Sequence, residues 1–132
     1  MAGNDAITPA ATNAADLATA ALRLEHLNAR VQAQNIARLG NGDAAVFSLD
    51  LEAAYAALRA ASMSPAAATT VITAANTELS RFAGLQEVPV PPGDSPDDRI
   101  LSLTRATSRY EALADAIARH YALSRLAIQG NR

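Results

Sequence analysis

Two stretches of the chain carry narrow apolar stripes at helical spacing, one near each end. The first runs Leu17, Ala20, Leu24, Leu27 and Val31 and enters Gln34-Asn35-Ile36-Ala37. The second runs Leu103, Ala106, Tyr110, Leu113, Ile117, Tyr121, Ser124 and Ile128. Such stripes predict two long helices, each seeking either the other or a neighbour in another subunit. Asn13 suits the cap of the first, which is expected to run to about Arg38, where Gly40-Asn41-Gly42-Asp43 makes a turn. Ser95-Pro96-Asp97-Asp98 is the sharpest start signal in the chain. The serine caps, the proline fits the first turn, and two acids face the positive end of the helix dipole. The last helix is expected from about 96 to 129.

Between these ends the pattern predicts a shorter helical pair. Ser48 stands as a cap before a helix to about residue 62, with Leu51, Tyr55, Leu58 and Ser62 on one face. Ser64-Pro65 restarts the chain, and Ala68, Ile72, Ala75, Leu79 and Phe82 form one stripe that ends at Gly84. The run Thr69 to Thr73 weakens that helix, because β-branched side chains lose rotamer freedom there. Val88-Pro89-Val90-Pro91-Pro92-Gly93 reads as an extended, polyproline-like linker over 85–95. Residues 1–13, rich in Ala, Thr, Asn and Gly, read as a disordered tail. The fold expected for residues 14–132 is therefore a single all-α domain of four helices.

Composition sharpens this. Half of the 132 residues are apolar but only 4% are aromatic, and alanine dominates. Alanine favours helix yet contributes little burial, so packing against further subunits would add what the core lacks. All eleven basic residues are arginine, as genomic codon bias produces, and net charge is −2, which leaves no electrostatic footprint for nucleic acid. Charge is uneven: residues 39–96 hold six acids and two arginines, net −4, and residues 97–132 four acids and six arginines, net +2. A charge-laced helix surface accounts for this, as does a match between subunits. Without cysteine there is no disulfide, thiolate site or cysteine nucleophile. The N-terminus has no apolar signal-like core, and no apolar run is long enough to span a bilayer.

Candidate chemistry is sparse. His26 and His120 fall on different helices without metal-ligand spacing, and Glu25, next to His26, points about 100° away. No serine lies in a Gly-x-Ser-x-Gly elbow, and Asp97-Asp98 is explained by the helix dipole. The pattern predicts neither an enzyme nor a cofactor or metal site.

The stretch Leu27-Asn28-Ala29-Arg30-Val31-Gln32-Ala33-Gln34-Asn35-Ile36-Ala37 resembles the N-terminal signature of flagellar rod and hook proteins, where a helix ends in Asn-Ile/Leu-Ala. Arg109-Tyr110-Glu111-Ala112-Leu113 and Leu123-Ser124-Arg125-Leu126-Ala127-Ile128 resemble that family's closing helix. After Ala37 the chain departs from the pattern, with Arg38-Leu39-Gly40-Asn41-Gly42 in place of a second Asn and a Thr-Pro-Gly-Tyr segment. The small size and the ending are most like the proximal rod members of the flagellar basal-body rod protein family. The resemblance implies a structural subunit exported by a type III pathway without a cleaved signal and placed in the periplasmic rod of the flagellum. Its terminal helices would pair as an antiparallel coiled coil and stack with copies of itself and with other rod, basal-body or export-apparatus proteins. The residues implied at those contacts are Leu24, Leu27, Val31, Asn35, Ile36, Leu103, Tyr110, Leu113, Ile117 and Leu126. Two alternatives remain open: an inner-rod or adaptor protein of a virulence-type III secretion system, and a stand-alone helical bundle that binds a partner protein.

Overall fold

The structure is a computed structural model that describes residues 9–130, with side chains from residue 13 onward. It is mostly helical and contains one small two-stranded sheet. In chain order the elements are α1 (Pro9–Gly40), β1 (Ala45–Ser48), α2 (Leu51–Ser62), α3 (Pro65–Thr77), α4 (Leu79–Phe82), β2 (Gln86–Pro89) and α5 (Pro96–Gly130).

α1 begins at Pro9 rather than near Asn13. Pro9 is the first described residue, and the alanine-rich residues that follow are strong helix formers. The disordered tail expected over 1–13 is thus corrected for residues 9–13, and residues 1–8 lie outside the described part. α5 starts at Pro96: Ser95 Oγ accepts from Asp98 N at 3.2 Å, and Ser95 O accepts from Arg99 N at 3.2 Å.

α1 and α5 lie side by side in opposite directions. The His26 and Tyr110 rings meet at 5.7 Å, and Arg99 at the start of α5 reaches Gln32 late in α1. On the other side of α1 the α2–α3 hairpin packs, and the core sits between them. Leu17, Ala20 and Leu24 of α1 meet Ala54, Leu58 and Ala61 of α2 and Ala68 and Ala75 of α3, all buried. Small residues at these positions let the helix backbones approach closely. Leu27, Leu51, Tyr55, Val71, Ile72, Leu79 and Phe82 close the edges.

Two details differ from the sequence expectation. Asp50, not Ser48, caps α2, its carboxylate accepting from Ala53 N at 3.1 Å, because Ser48 belongs to β1. The helix expected over 65–83 breaks at Glu78, whose non-helical backbone (φ −140°, ψ 73°) divides α3 from the single turn of α4. Gly84 follows with φ +68°, and a Cβ there would stand 3.1 Å from Asp50 Cβ, so glycine lets this turn press against the start of α2. Asp50 N donates to Ala83 O at 2.8 Å across the same contact.

The largest departure is the ribbon. Residues 45–48, between the expected Gly40–Asp43 turn and a helix capped by Ser48, and 86–89, expected within the polyproline-like linker, pair antiparallel with Val46 opposite Val88 and Phe47 opposite Glu87. Val46 is fully buried. A two-stranded ribbon of this length is marginal by itself. Its support comes from α1.

Candidate functional site

α1 carries two tracks. The apolar one contains Leu24, Leu27 and Val31. Beside it runs a polar one, Glu25, Asn28, Gln32 and Asn35, at steps of three and four that keep it on one helical face. Glu25, Asn28 and Asn35 are all buried. Each therefore needs partners inside the fold, and each connects α1 to a different element.

Asn35 holds the ribbon. Its Nδ2 donates to Phe47 O at 2.8 Å and its Oδ1 accepts from Phe47 N at 2.8 Å. The side-chain amide thus supplies the paired donor and acceptor that a third strand would. Arg38, one turn on, lies over the Phe47 ring at 4.2 Å and bonds both Ala45 O and Glu87 Oε1 at 3.3 Å. Both strands are thereby fastened to the end of α1.

Asn28 opens a second connection. Its Oδ1 accepts from Gln32 Nε2 at 3.2 Å, and Gln32 Oε1 accepts from Arg99 Nη1 at 3.1 Å. Arg99 also grips Asp94 through two nitrogens, at 2.9 Å and 2.6 Å. The Asp94 side chain is 7% exposed, and its bonds to Arg99 hold the carboxyl below its ordinary range. This chain of bonds ties the loop before α5 to α1.

Glu25 faces a cleft between α1, α2 and α5, lined also by Leu51, Glu52, Tyr55, Arg109, Ala112 and Leu113, of about 570 Å³. The Tyr55 hydroxyl donates to Glu25 Oε1, and Glu25 Oε2 is buried without a partner among the described residues. A buried acceptor left unpaired costs about 1–3 kcal/mol, more when charged. Burial, and next the bond to Glu25, push the Tyr55 hydroxyl well above its ordinary value. Sequence reading placed Glu25 only relative to His26. Its signal was the polar track itself: four polar residues sharing one face next to an apolar seam.

The residues expected at assembly contacts separate into groups. Leu24, Val31 and Asn35 are buried within the chain, and Leu27 and Ile36 are partly buried. Leu103, Tyr110, Leu113 and Ile117 lie partly buried along α5. Leu113 and Ile117 line an apolar groove with Ala14, Ala15 and Ala18 of α1. Leu126 joins none of these: it is 62% exposed. His26 is exposed against Tyr110, and His120 meets the Tyr121 ring edge-on at 5.9 Å. Among the described residues no cluster of histidine and carboxylate side chains is placed to hold a metal ion, and no helix is long and apolar enough to cross a membrane.

Comparison with protein-family models, curated proteins and solved structures finds no match to this chain, so its functional reading rests on its own residues and geometry.

Proposed function

We propose that this chain is a structural subunit of the bacterial flagellar basal-body rod, of the proximal kind. In this reading it is exported through the type III pathway without a cleaved signal and assembles through its terminal helices, paired as an antiparallel coiled coil. Its partners are then copies of itself and neighbouring rod or export-apparatus proteins. The observation that carries the reading is the outer end of α5. Tyr121, Leu123, Leu126 and Ile128 are each more than half exposed there, an apolar end that the described residues leave uncovered. A contact between that end and a different face of the next copy is heterologous and does not close, the geometry of a rod.

Leu126→Asp tests this directly. The substitution removes an exposed apolar group, so the monomer's melt should stay within about 0.5 kcal/mol of the parent, while incorporation into isolated basal bodies, followed by imaging, is lost. Normal incorporation of the variant, or absence of the chain from such particles, would sink the reading.

A second reading, the stand-alone bundle that binds a partner protein, is favoured by a different observation. α1 is covered by α5 on one side and by the hairpin on the other within one chain. It predicts a melt independent of concentration and slow amide exchange in both terminal helices of the dilute monomer. Fast exchange throughout α5 in that sample would exclude it.

A further inference from the structure

The cleft at Glu25 has the composition of a cation site. Two carboxylates, Glu25 and Glu52, face one guanidinium, Arg109, leaving the lining net negative. Glu25 is 1% exposed, and its Oε2 lacks a donor among the described residues. Tyr55, whose hydroxyl donates to Glu25 Oε1, lines the same place, while Leu51, Ala112 and Leu113 supply apolar wall. We propose that this cleft binds a guanidinium group carried on an apolar stem, the chemistry of an arginine side chain.

Each part of such a group has a counterpart. The planar fork offers several N–H donors at once, so one can serve Glu25 Oε2 while another serves Glu52. The plane stacks on the Tyr55 ring, and the methylene stem lies on Leu51, Ala112 and Leu113. An ammonium is a compact, strongly hydrated charge that gains less from the ring and the wall. Tyr55 and Leu113, which line the cleft beside Glu25, are partly exposed.

The group has two possible sources, a free guanidino solute or an arginine of a second copy. The chain's own supply is ample, since every basic residue is arginine. Arg125 stands exposed on the apolar end of α5 between Leu123 and Leu126 and makes no ion pair among the described residues.

The test is a titration of the isotopically labelled full chain with N-acetyl-arginine amide, followed by amide chemical shifts, with N-acetyl-lysine amide in parallel. The arginine probe should saturate with shifts confined to Glu25, Leu51, Tyr55, Ala112 and Leu113, at a Kd on the order of millimolar. Glu25→Gln, which keeps an acceptor for Tyr55, should weaken binding about tenfold or more. Glu52→Gln, at an exposed position with little bearing on folding, should weaken it several-fold. Scattered or absent shifts, equal response to the lysine probe, or unchanged affinity in both variants would overturn the proposal.

Sedimentation of the same sample at rising protein concentration identifies the source. Self-association that both the arginine probe and Arg125→Glu disperse assigns the group to a second copy. A monomer that binds the probe assigns it to a free solute. The site stands or falls on the titration and does not depend on the rod reading, which is tested in isolated particles.

Discussion

α1 and α5 are matched in length, 32 and 35 residues, and each carries a helical apolar stripe, yet the fold uses them differently. α1 buries Leu17, Ala20, Leu24, Glu25, Asn28, Val31 and Asn35, whereas α5 buries Ala106 alone. α1 is the central helix, with α5 on one flank and the hairpin and ribbon on the others. α5 is an outer helix that leans on α1 and leaves Tyr121, Leu123, Leu126 and Ile128 exposed. A stripe reports that a helix has a partner, not how many. The number of partners is visible in the polar positions, which α1 buries and α5 does not.

The sharpest way to break this contrast is to hollow out the central helix. Leu24→Ala removes a fully buried side chain from the point where α1, α2 and α3 converge, and should cost about 2–5 kcal/mol by denaturant unfolding. The same change at Leu123 on α5, which is 67% exposed, should move stability by less than about 0.5 kcal/mol. Equal effects at the two sites would overturn the assignment of α1 as the centre.

Asn35→Ala probes the polar half of the central helix. It strips both bonds from the Phe47 backbone and should cost about 2–4 kcal/mol, with amide exchange accelerating in residues 45–48 and 86–89 before it does in α5. Uniform acceleration across the chain would mean that Asn35 supports the whole core rather than the ribbon.

Asp94 gives a smaller, pH-dependent effect. Its carboxyl is held below the ordinary range in the fold, so it contributes stability that is present above the unfolded value, about 4, and lost as pH falls through the lower folded value. Asp94→Asn should therefore lower the melting temperature at pH 7 and flatten its decline below about pH 4. Unchanged acid sensitivity would remove the Asp94–Arg99–Gln32 chain as a fastening of α5 to α1.

Tyr55 gives the mirror image on the alkaline side. Its hydroxyl is raised in the fold, so folding favours the protonated form; the contribution is complete below about pH 10 and falls away as pH rises through the folded value. Tyr55→Phe should lose stability at neutral pH and show a shallower decline above about pH 10 in thermal melts. An unchanged alkaline slope would separate Tyr55 from Glu25.

The two terminal helices and the Ser95 cap were legible in the sequence because their causes are local: a repeat of three and four, and a serine before a proline and two acids. The ribbon was not. Ala45–Ser48 and Gln86–Pro89 are about forty residues apart and too short to declare themselves; the first carries no local signal beyond a cap-like Ser48, and the second reads as linker. Their pairing depends on Asn35, whose identity is plain in the sequence but whose side-chain partner is not. The cleft at Glu25 was illegible for a related reason. Its members come from α1, α2 and α5, and only packing brings them to one place.

Helical spacing, capping residues and the scarcity of large side chains determined by themselves that this chain is built mostly of helices, with the longest at its ends. Tertiary structure alone decided which of those helices is enclosed, that Ala45–Ser48 and the start of the Pro-rich connector become a strand pair, and that a carboxylate on a helix face is buried beside a tyrosine. The reason is one of range. Periodicity and caps act within a turn or two of helix, whereas burial of a polar side chain depends on what other elements bring to it.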